Sequence, residues 1–455
     1  MEGWLKAALD YIPRWLEHQM RTSEQPGCAI AVAHRGKVVL EQAFGAADLA
    51  AGEALTPRHR FRVASHSKSF TAAGILRLRE ADRLRLDDPV GRYVRGLHPK
   101  VAKATIGQLL SHSAGLIRDG LDAGQWQDRR PFLDEAELRA ALAEPPVLPG
   151  SARFKYSNHG FGLLGLVIES VAGTPYREWI AREVVARAGL EETVPDMPAP
   201  TGAAVARGHS GKLPLGRRLV VPGDNDTRAL SSATGFVSTA GDLARFFGSL
   251  DPDARCRVLT ADSRREMTRR QWHDPHSSLN RHYGLGLTIG RVGDWEWFGH
   301  GGGFQSCISR TAVLQGRGLA ISILTNAVDG WAHPWSDGVI QILRTFERNG
   351  GPTARTRDWT GRWWSMWAVG DLVPVADRVL IAMPAMLNPF MDASEITVDS
   401  RDEGSISLAG GFANHGEGAA LIRDADGKVV AVQIGGTRFL QEAEVAAELE
   451  RRYGG

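Results

Sequence analysis

The chain has 455 residues, a formal net charge of +2 and a hydrophobic fraction of 43%. That size and apolar content allow a large core and more than one domain, and the near-neutral charge excludes the basic surface that nucleic acid or an acidic membrane face demands. Cys28, Cys256 and Cys307 are odd in number and far apart, which excludes a disulfide framework and a cysteine zinc site.

The start, Met1 to Lys6, carries no basic region followed by a long apolar run, and no membrane-length apolar stretch follows. The chain therefore reads as soluble and cytoplasmic, with no membrane partner. Nothing in it specifies an oligomeric state. Trp4, Leu5, Leu9, Ile12 and Leu16 fit one face of an amphipathic helix, and Pro13 interrupts it or marks a second turn. Cys28 to His34 reads as a strand, Arg35-Gly36 as a turn and Val38 to Phe44 as the return strand.

The hairpin leads to Phe61-Arg62-Val63-Ala64-Ser65-His66-Ser67-Lys68-Ser69-Phe70, at the entry to a helical pattern carried by Ala72, Ala73, Ile75, Leu76 and Leu78. Residues i and i+3 share a helix face, so the Ser65 hydroxyl lies beside the Lys68 amine. A serine needs a base to become a nucleophile, and a lysine is a base only when burial or charge lowers its pKa. Alone, the pair is a weak signal, and a helix cap at Ser65 with a solvated Lys68 describes it better.

From Ser65 to Leu250 the pattern is mostly helical. Leu86-Asp87-Asp88-Pro89 reads as an acidic helix start before a proline rather than a paired-carboxylate site. Leu109 to Leu116, with His112 between two serines, ends a helix in a tight turn at Gly115. Phe154-Lys155-Tyr156-Ser157-Asn158-His159-Gly160 offers a phenol able to exchange a proton and an amide able to donate and accept. Taken singly it is a turn with Asn158 capping a helix. Gly208-His209-Ser210-Gly211 lacks the spacing of a nucleophile elbow and reads as a loop.

After Tyr283 the period becomes strand-like: Gly284 to Ile289, Trp295 to Phe298, Ile308 to Leu314 and Ala320 to Leu324, closed by a helix from Trp335 to Phe346. Gly299-His300-Gly301-Gly302-Gly303 lies between strands, where consecutive glycines let a substrate approach the backbone. Gly350 to Ala354 is a linker signal. Beyond it Trp359, Trp363, Trp364 and Trp367 precede short strands, with Asp426-Gly427 as a hairpin turn. This predicts a small all-β, barrel-like domain with the tryptophans in its core.

Taken together, Ser65-x-x-Lys68, Tyr156-Ser157-Asn158 and His300-Gly301-Gly302 resemble, in order and spacing, the penicillin-recognising serine hydrolases, most nearly their class C β-lactamase branch. The Leu86 and Leu109 stretches are similar to that branch too. The resemblance implies an α+β fold: a β-lactamase/transpeptidase-like catalytic domain over 1–349, with an antiparallel sheet, a helical subdomain and Ser65 at their junction. A linker over 350–358 and a barrel-like domain over 359–455 follow. It implies Ser65 as acylated nucleophile, with Lys68 and Tyr156 as proton carriers. Asn158 would bind the substrate amide, His300, Gly301 and Gly302 would line the cleft strand, and the N–H groups of Ser65 and Gly303 would form the oxyanion hole. No metal or cofactor is implied.

One departure stands out. Many β-lactamases and DD-peptidases carry Lys-Thr-Gly where this chain has His300-Gly301-Gly302, which weakens the grip on a substrate carboxylate. The triplet and the added β-domain are more similar to D-aminopeptidases and related amidases, in which a barrel loop reaches the active site; Ala409 to Gly418, with Glu417, is the candidate stretch here, and it reads equally well as an ordinary exposed hairpin loop. The expected activity is hydrolysis of a small amide or peptide. The alternatives are a short-chain carboxylesterase, a β-lactamase or DD-carboxypeptidase, and a non-catalytic binding protein of the same fold.

Overall fold

Arg35 and Gly36 both take positive φ, +50° and +80°, the two-residue turn whose twist matches that of the strands it joins. It links β1 (Gly27–His34) to β2 (Lys37–Asp48), as the sequence predicts. A short β3 (Glu53–Ala54) follows. Six strands come later in the chain: β4 (Trp272–His273), β5 (His282–Tyr283), β6 (Thr288–Val292), β7 (Trp295–Phe304), β8 (Cys307–Leu314) and β9 (Leu319–Thr325). Together they form one antiparallel sheet, ordered β3-β2-β1-β9-β8-β7-β6-β5-β4. β1 docks on β9 with Ile30 opposite Ile323, so the first hairpin joins a sheet whose strands β4 to β9 come from the far side of the helical segment. Every residue of β9 is buried.

This computed structural model describes residues 2–276, 278 and 281–454. The chain divides into two compact units, residues 25–336 and residues 1–24 with 337–455.

In the first unit the segment between β3 and β4 supplies the helices α1 (Ser67–Glu80), α2 (Asn158–Ala172) and α3 (Ala240–Ser249). α1 is buried continuously from Ser67 to Leu76, as a helix enclosed by structure on all sides must be. Phe70 stacks on Phe236 at 4.3 Å and on Phe246 at 3.9 Å. The strand expected over Gly284 to Ile289 starts only at Thr288. The Gly284 N–H bonds to the Leu287 carbonyl at 2.8 Å and Gly286 has φ +67°, which makes Gly284 to Leu287 a tight turn. The Gly286 carbonyl accepts from Ser69 Oγ at 2.7 Å, so that turn holds α1.

In the second unit, helix Gly3–Ser23 runs through Pro13 without a break, against the expected interruption. Proline costs this helix one backbone bond, whereas Leu5, Ile12, Trp15 and Leu16 are buried along its face. Tyr11 donates to Asp371 Oδ2 at 3.0 Å, and Arg362 holds both oxygens of the same carboxylate at 2.8 and 2.9 Å.

The strands β10 (Gly361–Trp364), β11 (Val369–Val375), β12 (Arg378–Ala382), β13 (Ser394–Val398), β14 (Glu403–Leu408), β15 (Gly418–Arg423), β16 (Val429–Ile434) and β17 (Thr437–Phe439) form an antiparallel meander in chain order. Two reciprocal 2.8 Å backbone bonds between Trp364 and Leu440 tie its first strand to the end of its last, closing a barrel. Trp359 and Trp363 fill its core with Leu372, Ile396 and Val432, while Trp367 is 90% exposed. The chain then ends in helix Glu442–Tyr453. The segment 350–358 is built into this unit: Gly351 O accepts from the Ala376 N–H at 2.9 Å and Thr356 Oγ1 donates to Ala376 O at 2.7 Å. No helix among the described residues is long and apolar enough to cross a membrane.

Candidate active site

The chain enters α1 through strained backbone. Ala64 takes φ +45°, a left-handed conformation that costs a residue with a Cβ about 1–2 kcal/mol. Such strain concentrates at functional sites. Ser67 Oγ donates to Ala64 O at 2.5 Å and accepts from the Phe236 N–H at 3.0 Å, which locks this entry. Ser65, on the turn just before the helix, is the partly exposed residue in an otherwise buried run from Phe61 to Phe70.

Lys68 lies one turn on and is wholly buried. Its Nζ reaches Ser65 Oγ at 3.0 Å, Asn158 Oδ1 at 2.7 Å and Ala233 O at 2.9 Å. The amine also sits 4.8 Å from the Tyr156 ring centre. Burial pushes the Lys68 ammonium well below the usual lysine range; Asp119 opposes that push and Arg118 adds to it. Burial holds the Tyr156 phenol above its ordinary value, and the nearby Ser65 hydroxyl opposes that push. Burial thus favours the protonated phenol of Tyr156 and shifts Lys68 toward its uncharged amine.

α2 delivers Asn158. Ser157 caps the helix by accepting from the Gly160 N–H at 2.9 Å, which leaves Asn158 at the first position, 2% exposed. The sequence reading put that cap one residue too late. Asn158 Nδ2 donates to Asp119 Oδ1 at 2.6 Å. His112, φ +55°, holds the preceding strand of chain: Ser157 N–H donates to its Nδ1 at 3.1 Å, and its ring lies 4.1 Å from Tyr156.

The glycine run belongs to β7 itself. A Cβ on Gly302 would meet the Val63 carbonyl at 2.2 Å, whereas one on Gly303 would meet only Ile308 Cδ1 at 3.6 Å. Gly302 thus lets the strand lie against the chain leading into Ser65, and Gly303 borders open space. A Cβ on Gly301 would come 2.5 Å from the His333 ring. His300 is 4% exposed. Its Nδ1 bonds to the Gly301 carbonyl at 2.7 Å and so carries the proton; its Nε2 then accepts from Tyr283 Oη at 3.0 Å. Burial holds His300 well below the ordinary histidine value, with Lys68 and His66 adding to the shift. Burial also pushes His333 down to about 3.

The three stretches far apart in sequence therefore meet around Ser65. Asp119, the Ala233 carbonyl, Tyr283 and His333 belong to the same assembly and were not foreseen. None lies in a periodic pattern or a spaced motif; they are reached only through the tertiary fold.

The family model described as Beta-lactamase matches residues 12–334. The chain belongs to the β-lactamase family. That family lies within the penicillin-recognising serine hydrolase superfamily. Staphylococcus aureus (strain N315) Protein flp is 28% identical to this β-lactamase-family chain over 173 residues, 37% of this chain and 34% of flp. The chain thus spans about a third of the length of that relative. Among solved structures, SurE matches with a TM-score of 0.65 at 24% identity, over 96% of this chain and 100% of SurE. A D-stereospecific amidohydrolase from Streptomyces sp. matches with a TM-score of 0.59 at 27% identity, over 74% of this chain and 97% of that one.

Proposed function

We propose that this serine hydrolase cleaves a small amide or peptide with D-amino-acid character through an acyl-enzyme on Ser65. The observation that carries the reading is the Lys68 environment. A neutral lysine has two N–H groups and one lone pair. Asn158 Oδ1 and Ala233 O take the two hydrogens, which turns the lone pair toward Ser65 Oγ. In the proposed reaction Ser65 Oγ bonds to the substrate carbonyl carbon as its proton passes to Lys68. The backbone N–H groups of Ser65 and Gly303 hold the resulting oxyanion, and each such donor supplies about 3 kcal/mol. Tyr156 protonates the departing amine as the C–N bond breaks and is reprotonated by the ammonium of Lys68; water then adds to the acyl carbon, losing a proton to Lys68, which passes it to Ser65 Oγ as the acyl–oxygen bond breaks and the acid leaves. Asn158 keeps one N–H and one carbonyl lone pair beyond its bonds to Asp119 and Lys68, and these serve the substrate amide.

The cleft strand supports this substrate class. A carboxylate held in the β-lactam manner needs a cation and a hydroxyl. Here His300 is neutral and its ring nitrogens are engaged, Gly301 has no side chain, and the His333 ring lies where one would project. That favours substrates without a carboxylate at this position, and the likeness to a D-stereospecific amidohydrolase supports an amide of D configuration. The test compares D- and L-aminoacyl p-nitroanilides, a p-nitrophenyl ester and nitrocefin, with intact-mass detection of the acyl-enzyme in the parent and in Ser65→Ala. The expected order places the D-aminoacyl anilide first. Ester turnover without anilide turnover makes the chain an esterase, and comparable nitrocefin turnover overturns the reading.

A further inference from the structure

Asn158 performs its part only in one of the two orientations of its amide. With Oδ1 toward Lys68 it accepts an N–H; flipped, it would present an NH2 group to an amine and leave Lys68 without that acceptor. What decides the orientation is the atom at the other end of the amide. That atom is Asp119 Oδ1, 2.6 Å from Asn158 Nδ2. An ionised carboxylate only accepts, so it admits the NH2 end and excludes the carbonyl end.

Asp119 is itself pinned. Its Oδ1 also accepts from Trp126 Nε1 at 2.9 Å, and its Oδ2 pairs with Arg118 Nε at 3.0 Å. It is 9% exposed, so these donors, rather than bulk water, set its position. The bonds form one directed chain: Trp126 and Arg118 hold Asp119, Asp119 orients Asn158, Asn158 holds Lys68, and Lys68 faces Ser65.

We infer that Asp119 is a positioning residue for acylation of Ser65, acting through the Asn158 amide on Lys68. The inference rests on Lys68 acting as the proton acceptor of Ser65. The carboxylate has a second effect with a distinct signature: its charge favours the ammonium form of Lys68. Removing it moves the loss of the Lys68 proton to lower pH, whereas a mere loop tether leaves that titration in place.

The experiment uses the full chain with Asp119→Asn and Asp119→Glu. Labelled-lysine NMR follows the Lys68 titration among the eight lysines, and the rate of fluorophosphonate labelling of Ser65 is measured against pH. In Asp119→Asn the Lys68 titration and the acid limb of labelling both move down by about one unit. The plateau rate also falls about tenfold, because an amide no longer dictates the Asn158 orientation. Asp119→Glu keeps the acid limb in place. An unmoved Lys68 titration in folded Asp119→Asn overturns the inference, even if the plateau falls. If Asp119→Asn does not fold, Trp126→Phe removes one of the bonds pinning Asp119. A labelling rate equal to the parent's in that variant overturns the inference, and a reduced rate at an unmoved limb upholds it. A parent whose Lys68 titrates as described while Ser65 resists labelling sinks the hydrolase reading and leaves the orientation of Asn158 standing.

Discussion

Lys68 ties chemistry to stability at the scale of one residue. Its side chain is wholly buried, and burial lowers its pKa. In the unfolded chain the same lysine titrates near about 10.4. Between the lowered folded value and the unfolded one, the unfolded state binds more protons. Stability is therefore lost as pH falls through that window and regained as pH rises. Substituting Lys68→Met removes this linkage. The melting temperature of Lys68→Met minus that of the parent is expected to grow as pH falls from about 10 toward neutrality; a difference flat in pH would show that the lysine stays charged in the fold. The activity profile carries the matching sign. The rate rises with pH through the lowered Lys68 value, and the alkaline fall stays above the ordinary phenol range, because burial raises Tyr156. A stopped assay of anilide hydrolysis across pH checks both limbs. The neutral cleft strand makes a further prediction. Gly301→Thr drives a Cβ into the His333 ring, so it destabilises alone by about 1–3 kcal/mol and recovers when combined with His333→Ala, as read by thermal melting.

Legibility differs sharply between elements. The hairpin β1–β2 was readable to within a few residues because Arg35-Gly36 is a turn with its own backbone chemistry and the flanking runs are apolar and β-branched. The nucleophile turn was readable because Ser65 and Lys68 share a helix face and α1 follows with apolar residues. Read alone, the Gly299 to Gly303 run is a connection between strands; the resemblance implied a cleft strand, and β7 runs through the glycines from Trp295 to Phe304. Propensity disfavours glycine in strands, but the tertiary approach of Val63 requires it at Gly302, and the ladder to β8 supplies the hydrogen bonds. The same fact separates neighbouring glycines. Gly302→Ala places a Cβ 2.2 Å from a backbone carbonyl that cannot move aside, whereas Gly303→Ala faces open space. The first is expected to lower the melting temperature by an amount matching about 1–3 kcal/mol of overpacking, and the second to leave it within about 0.5 kcal/mol. Equal melting of the two variants would mean that β7 is not pressed against the nucleophile turn.

For the whole molecule, the sequence reading separated a catalytic part from a β-rich part by a linker signal at Gly350-Gly351-Pro352, while packing groups residues 1–24 and 337–455 into one unit. The amphipathic face of helix Gly3–Ser23 was visible in the sequence. Its partners were not, because Tyr11 meets Asp371 and Trp15 meets the Met386 carbonyl some 360 and 370 residues away. Two cores then make a local prediction. Trp359 is wholly buried in the barrel core and its Nε1 donates to Arg401 O at 3.0 Å. Trp367, in the same cluster by sequence, is 90% exposed. Trp359→Ala leaves a cavity and an unpaired carbonyl, a loss of about 3–5 kcal/mol, while Trp367→Ala changes stability by less than about 0.5 kcal/mol. Because proteins open in cooperative pieces, Trp359→Ala is expected to speed amide exchange in β10 to β17 by about 100-fold or more, with exchange in β1 and β9 unchanged. Hydrogen-exchange mass spectrometry reads both regions in one experiment. Equal acceleration in β1 and β9 would make the two units a single cooperative structure, and no acceleration in β10 to β17 would remove Trp359 from the barrel core.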